Sequence, residues 1–98
     1  MNNIDKEVRG QIVAVLSLRY PEPMQFRALH SVLNTPGMGP PLQMSDLRQH
    51  LAYLEEKEYV EITQDEGDKT RIKIESAACT AKGHDLAKGY ITDVGVLV

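Results

Sequence analysis

The sequence predicts a single α+β domain, in which three helices precede a two-stranded β-hairpin and a fourth helix follows it. Apolar residues recur at helical spacing in the first half of the chain, and two later segments alternate apolar with polar residues. Clusters of proline and glycine separate the helical segments. The 98 residues, 42% hydrophobic and 26% charged, have the composition of one ordinary globular domain, which we place at 1–98.

The first two helices are predicted over residues 4–20 and about 24–33. The apolar stripe of the first helix consists of Ile4, Val8, Ile12, Val13, Val15 and Leu16. Pro21 and Pro23 end this helix, because proline lacks a backbone N–H and clashes with the preceding turn. A shorter stripe predicts the second helix and consists of Phe26, Leu29, Val32 and Leu33.

A third helix is predicted over residues 45–58, after a loop at 34–44 that is rich in proline and glycine. Ser45 is a favourable N-cap residue, and Asp46 suits the positive end of the helix dipole. The buried stripe of this helix consists of Leu47, Leu51 and Leu54.

The segments "YVEITQ" (59–64) and "TRIKIES" (70–76) alternate apolar with polar residues and predict the two strands of a hairpin. We place the hairpin loop at Asp65 to Lys69. Three facing pairs in the resulting register, two of apolar residues and one of opposite charges, support it. The pairs are Ile62 with Ile72, Val60 with Ile74, and Glu61 with Lys73.

The last predicted helix lies within "CTAKGHDLAKGYI" (79–91). Thr80 is expected to cap it, Leu86 to pack inward, and Gly83 to permit close approach of another element. The tail that follows is apolar without a clear period. Its apolar residues either form a surface for a protein partner or pack against the first helix, and they are Val94, Val96, Leu97 and Val98.

Two stretches carry a family resemblance. "SDLRQHLAYLEEKEYV" (45–60) resembles the third helix and first wing strand of MarR-, PadR- and ArsR-like bacterial regulators. "CTAKGHDL" (79–86) resembles the motif L-T-x-x-G-x-x-L that follows the wing in those families. The resemblance covers residues 4–91 and implies a winged helix, with a three-helix helix-turn-helix core, a two-stranded β-hairpin wing and a C-terminal helix. The small size and the segment "ITDVGV" are also similar to small winged-helix proteins of Mu-like phages and prophages.

The sequence departs from the family pattern at three places. Glu58 stands where the family usually has glycine after the third helix, and a left-handed backbone there would cost on the order of 1 kcal/mol. The loop at 34–44 is longer than the usual turn between the second and third helices. Cys79 replaces the usual leucine, which is a mild change for a small buried residue.

The resemblance implies a DNA-binding transcriptional regulator that contacts a short site in double-stranded DNA with its third helix. The buried leucines leave Ser45, Gln49 and Tyr53 on the outer face of this helix, with Arg48 at its flank. Arg48 suits guanine and Gln49 suits adenine, whereas Ser45 and Tyr53 suit phosphates. Further contacts with the DNA backbone are expected from Arg27, Lys69 and Arg71.

The charge balance limits this interpretation and keeps a second one open. The formal net charge is −3 at pH 7, and the predicted wing tip "DEGD" is acidic. A homodimer is expected, because pairing would double the few usable cations. The alternative is a winged-helix protein-interaction or adaptor module without DNA binding, supported by the acidic balance, the apolar tail and the loop residues Met38 and Leu42. The third helix itself holds Asp46, Glu55, Glu56 and Glu58 against Arg48 and Lys57.

Catalysis and metal binding have little support in the sequence. His30, His50 and His84 are far apart along the chain, and no cysteine–histidine spacing matches a zinc site. Cys79 is the single cysteine and is expected to be a core thiol, which fits a reducing compartment. We expect a cytoplasmic protein that is not an enzyme and uses no cofactor or metal. The N-terminus lacks the order of a signal peptide, and no apolar run is long enough to cross a membrane.

Overall fold

A computed structural model of the chain describes residues 3–66 and 73–98. Within these residues the chain forms four α-helices and one three-stranded antiparallel sheet, which confirms the predicted α+β class. No helix in this part of the chain is long and apolar enough to cross a membrane. In chain order the elements are α1 (Asn3–Leu18), β1 (Met24–Gln25), α2 (Phe26–Leu33), α3 (Met44–Glu56), β2 (Val60–Glu66), β3 (Lys73–Cys79) and α4 (Ala81–Ala87).

The core lies between the helices and one face of the sheet. Most of the predicted stripe residues of α1, α2 and α3 are buried, as their helical spacing requires. Two predicted core residues are instead exposed: Ile4, in the first turn of α1, is 56% exposed, and Val32 is 37% exposed. The largest fully buried side chains are Ile12, Val13, Leu16, Leu29, Leu47, Leu51, Leu54 and Leu86.

The sheet has three strands rather than the predicted two. β1 lies between α1 and α2 in the chain and pairs with β3, so that the strand order is β1-β3-β2. Met24 faces Ala77 and is buried. A two-residue strand is too short to show an alternating pattern, and the sequence therefore gave no signal for β1.

The predicted hairpin register is wrong. The observed register pairs Val60 with Cys79, Ile62 with Ala77 and Asp65 with Ile74. β3 extends to Cys79 because the small residues of its second half pack into the core, where Ala77 is fully buried. The shift in register is odd, so it turns the residues of β3 to the other face of the sheet. Ile74, expected inward, is 39% exposed.

The third helix begins and ends one to two residues before the predicted bounds. Its N-cap is Gln43 rather than Ser45, and Asp46 Oδ2 accepts the Gln43 N–H at 3.3 Å. At the C-terminus, the Tyr59 N–H donates to the Leu54 carbonyl and the Glu58 N–H to the Glu55 carbonyl, both at 2.9 Å. These are the two hydrogen bonds of a Schellman motif. Glu58 is left-handed, with φ of 67°.

The connection between α2 and α3 is fixed by hydrogen bonds at its two ends. The Leu42 N–H donates to Asn34 Oδ1 at 2.7 Å, and Asn34 Nδ2 donates back to the Leu42 carbonyl at 3.1 Å. His30 Nε2 lies 2.7 Å from the same carbonyl. Met38 and Leu42, predicted as exposed, are partly buried against the core. This loop therefore offers less apolar surface to a partner than its composition indicated.

The last helix is held as predicted. Thr80 Oγ1 accepts the Gly83 N–H at 3.0 Å and donates to the Glu58 carbonyl at 2.6 Å. A Cβ atom at Gly83 would lie 2.0 Å from the Tyr59 carbonyl oxygen, so the close approach requires glycine. Leu86 packs into the core. These contacts hold the start of α4 against the end of α3 and the start of β2.

Candidate nucleic-acid interface

The helix predicted to contact DNA is anchored by its leucines. Leu47, Leu51 and Leu54 are all fully buried, and Arg48 and Gln49 are exposed. The orientation of α3 thus agrees with the prediction from helical spacing. It leaves the N-terminal half of α3 available to a partner beside the sheet.

Arg48 is the best-defined polar side chain on this surface. Its Nη1 donates to Glu75 Oε2 at 2.6 Å and its Nη2 lies 2.5 Å from Glu75 Oε1, which is a bidentate ion pair. The guanidinium carbon is 5.4 Å from the centre of the Phe26 ring. The hydrogen bond raises the pKa of Arg48 and lowers the pKa of Glu75. The Arg48 side chain is still 49% exposed.

A groove of about 420 Å³ lies between β1, the N-terminal ends of α2 and α3, and β3. Among the described residues that line it, three are cations and one is an anion, so this part of the groove carries an excess of positive charge in an acidic protein. Such local charge attracts phosphates even where the net charge does not. The lining residues are Gln25, Phe26, Arg27, Met44, Arg48, Lys73, Ile74 and Glu75.

Arg27 and Arg48, two of the predicted contact residues, line this groove together. Lys69 and Arg71 lie outside the described residues. Lys73 also lines the groove but was not predicted as a contact, because the predicted register paired it with Glu61. In the observed register Lys73 is opposite Glu66, and Glu61 is opposite Ala78. A correct prediction of the hairpin register would have identified Lys73 as a candidate contact residue.

Two predicted contact residues of α3 lie apart from the groove lining. Ser45 is exposed in the first turn of α3 and does not cap the helix. Gln49 lines a second depression, of about 360 Å³, between α1, the 34–43 loop and α3. It lies there with Pro40, Pro41 and His50, so the structure does not bring it into the groove of Arg48.

Tyr53 is engaged within the protein rather than available for a phosphate. Its hydroxyl donates to Asp93 Oδ1 at 3.0 Å, and the Arg9 guanidinium lies 3.9 Å from its ring centre. Tyr59 donates to the other Asp93 oxygen at 2.7 Å. Burial and this hydrogen bond raise the pKa of Tyr59 to about 12. The sequence did not indicate this contact, because Asp93 is 40 residues from Tyr53 along the chain.

The apolar tail is divided between the core and the surface. Val96 is buried, which corrects its prediction as a partner contact, and the Leu97 N–H donates to the Lys6 carbonyl at 3.0 Å. The exposed fractions of Val94, Leu97 and Val98 are 91%, 48% and 61%. The tail therefore packs on α1 and also presents apolar side chains to solvent.

His50 and Cys79, two side chains with reactive potential, are buried in the protein. His50 accepts a hydrogen bond from Arg9 Nε at 3.2 Å, and burial together with Arg9 lowers its pKa. Cys79 lies in the core as predicted, and burial raises its pKa to about 11. In residues 3–66 and 73–98 no group of three histidine, cysteine, aspartate or glutamate side chains could hold a metal ion.

Comparison with known proteins shows the fold but no family. No family model matches the chain, and no curated protein matches its sequence. The structure is similar to the crystal structure of Pex from Synechococcus sp., with a TM-score of 0.59 and 16% sequence identity. The match covers 86% of this chain and 79% of that chain. At this identity the likeness is one of fold alone and assigns no residue a role.

Proposed function

We propose that this chain is a winged-helix DNA-binding regulator, related in design to MarR-, PadR- and ArsR-like proteins, that binds double-stranded DNA as a homodimer. In this proposal α3 lies in the major groove and β2 and β3 form the wing. The observation that carries it is the groove in which Arg27, Arg48 and Lys73 meet beside the exposed face of α3.

The three cations differ in what they can contact. Arg48 belongs to α3 and offers planar donors, which suits a guanine edge. Arg27 lies in the first turn of α2 and Lys73 at the start of β3, and both line the groove with Arg48. These two suit phosphates that flank the base contact, where they fix position without sequence preference.

The number of cations sets the expected salt dependence. Two phosphate contacts per protomer correspond to a slope of about −1.8 in log affinity against log salt, and a homodimer doubles it to about −3.6. The acidic residues of the domain oppose a larger value, since the net charge is −3. Binding is therefore expected to be modest for one protomer and to need dimerisation for useful affinity.

The test is fluorescence anisotropy with duplex DNA enriched from a random pool, at low and at physiological salt. Arg48→Ala is expected to weaken binding to the enriched site by about 1–3 kcal/mol and to reduce sequence preference. Lys73→Ala is expected to weaken binding to all duplexes alike and to reduce the salt slope by about 0.9 per site. Lys88→Ala is the matched control, because Lys88 is an exposed cation that does not line the groove. Equal affinities for all three variants would contradict the proposal.

A second candidate function is a protein-interaction module, and the exposed apolar side chains of the tail favour it. Leu97 and Val98 line a shallow groove on α1, and Val94 is exposed to solvent. Deleting the tail would also remove buried Val96, so substitution is the cleaner experiment. Val94→Asp with Val98→Asp is expected to abolish self-association or partner binding while the fold is retained. Light scattering and thermal unfolding measure both, and wild-type protein that is monomeric and captures no partner would contradict this function.

A further inference from the structure

We propose that Glu75 determines the sequence specificity of the groove by holding the Arg48 guanidinium in the orientation that contacts a guanine. The inference rests on the proposed DNA-binding function and adds a positioning residue to it. Glu75 was not among the predicted contact residues, because the predicted register did not place it opposite Gln64.

The geometry of the ion pair leaves the donors that a guanine needs. Arginine carries five N–H donors in one plane, and the Glu75 carboxylate accepts from one N–H on each Nη atom. The Nε–H and an adjacent Nη N–H remain on another edge of the same plane. Two parallel donors of this kind match the O6 and N7 acceptors of guanine in the major groove.

The carboxylate that holds Arg48 is itself fixed by the sheet. Glu75 lies in β3 opposite Gln64, whose Nε2 is 3.5 Å from Glu75 Oε2. Its side chain is only 18% exposed, compared with 49% for Arg48. The Phe26 ring lies beneath the guanidinium. Arg48 is therefore constrained by a charge at one edge and by an aromatic ring at one face. This constraint reduces the side-chain conformational entropy that Arg48 loses when it binds DNA.

The negative charge of Glu75 also acts against the wrong contact. Without Glu75, the long side chain of Arg48 would be free to turn toward a phosphate, which every DNA sequence provides. A carboxylate beside it opposes that movement and repels phosphates from this part of the groove. Specificity is a difference between two affinities, so weaker binding to unrelated DNA increases it.

Two variants separate orientation from charge. Glu75→Gln removes the charge, and Glu75→Asp keeps the charge but shortens the side chain so that the two-bond contact is lost. The control is Glu61→Gln, which removes the same charge from the opposite face of the sheet. Glu61 is paired with Ala78, whereas Glu75 is paired with Gln64. Thermal unfolding establishes that each variant is folded.

The probe is a randomised duplex pool, from which the wild type is expected to enrich a guanine-containing site. Both Glu75 variants are expected to lower the ratio of affinities for the enriched and a scrambled duplex by about tenfold. Glu75→Gln is also expected to bind the scrambled duplex more tightly, with a salt slope steeper by about 0.9 per protomer. Glu61→Gln should leave the ratio unchanged.

The possible failures are distinguishable. Wild-type protein that binds no duplex at any salt overturns the proposed function itself. A wild type that enriches a site, together with an unchanged affinity ratio in Glu75→Asp and Glu75→Gln, overturns only the role of Glu75. If Glu75→Gln does not fold, the affinity ratio of Glu75→Asp decides the question. That variant keeps the carboxylate charge and loses only the two-bond contact with Arg48.

Discussion

Glu58→Gly is expected to stabilise the protein. Glu58 is the residue after the C-cap of α3, and its φ of 67° places it in the left-handed region. A residue with a Cβ atom is strained there by about 1 kcal/mol relative to glycine. The Glu58 carboxylate also lies at the negative end of the α3 dipole, which is unfavourable by a few tenths of a kcal/mol at an exposed site.

The two contributions can be separated by a second variant. Glu58→Lys reverses the charge but keeps the left-handed strain, so it is expected to gain only about 0.5 kcal/mol. Glu58→Gly removes both and is expected to gain about 1.3 kcal/mol, which corresponds to about 5–10 °C in the melting temperature of a domain of this size. Urea unfolding monitored by circular dichroism measures the difference in free energy of unfolding.

The matched control is Glu55→Gly, in the exposed last turn of the same helix, where the backbone is helical. Glycine at a helical position is expected to destabilise the protein by about 1 kcal/mol. The two glycine substitutions should therefore act in opposite directions. A destabilised Glu58→Gly, or equal effects of the two variants, would refute the argument from backbone conformation.

Two further predictions concern the packing around α3 and the tail. Gly83→Ala is expected to destabilise the protein by about 2–3 kcal/mol, because its Cβ would overlap the Tyr59 carbonyl; a change below about 0.5 kcal/mol in urea unfolding would refute the close approach. Asp93→Asn should cost about 1–2 kcal/mol near neutral pH, since Asp93 accepts hydrogen bonds from Tyr53 and Tyr59. Burial opposes ionisation of Asp93, but these hydrogen bonds and the Gly95 N–H lower its pKa overall. Because the pKa of Asp93 is lowered in the folded protein, its ionised form stabilises the fold at pH values above the ordinary pKa of 3.8. The difference in free energy of unfolding between the wild type and Asp93→Asn should therefore shrink as the pH falls below 3.8. A difference that does not depend on pH would contradict this.

The helices were predictable because their signal is local and repeated. Each of the three leucines of α3 independently indicates the same buried face, and all three are buried. Thr80 and Gly83 were predictable for a similar reason, since a cap and a close approach each need a particular kind of residue. The left-handed backbone at Glu58 was indicated only as a condition, through the family resemblance that places glycine there, because the predicted helix itself extended to residue 58.

The hairpin register was not predictable from alternation alone. "TRIKIES" alternates more clearly than the segment that follows it, yet Ala77 and Cys79 of that segment fill the inner positions of β3. Small residues have little intrinsic preference for strands, so the packing of the core decides where they lie. The error also concealed Lys73 and Glu75, whose positions beside Arg48 follow from the observed pairing.

The tail illustrates contacts between residues that are distant in sequence. Asp93 accepts hydrogen bonds from both Tyr53 and Tyr59, and Val96 enters the core while Val94 and Leu97 remain exposed. Nothing near Tyr53 in the sequence indicates that its hydroxyl is already engaged. Such contacts depend on where the chain returns, which local patterns do not specify.

The proposed function requires that the groove of Arg27, Arg48 and Lys73 is the surface that contacts DNA. The direct measurement is an NMR titration of the wild-type protein with a short duplex at low salt, because phosphate contacts form there without a known target sequence. We expect the largest changes in chemical shift at these three residues and at Glu75, and their loss at high salt. Changes confined to Val94 through Val98, or none at all, would contradict the account.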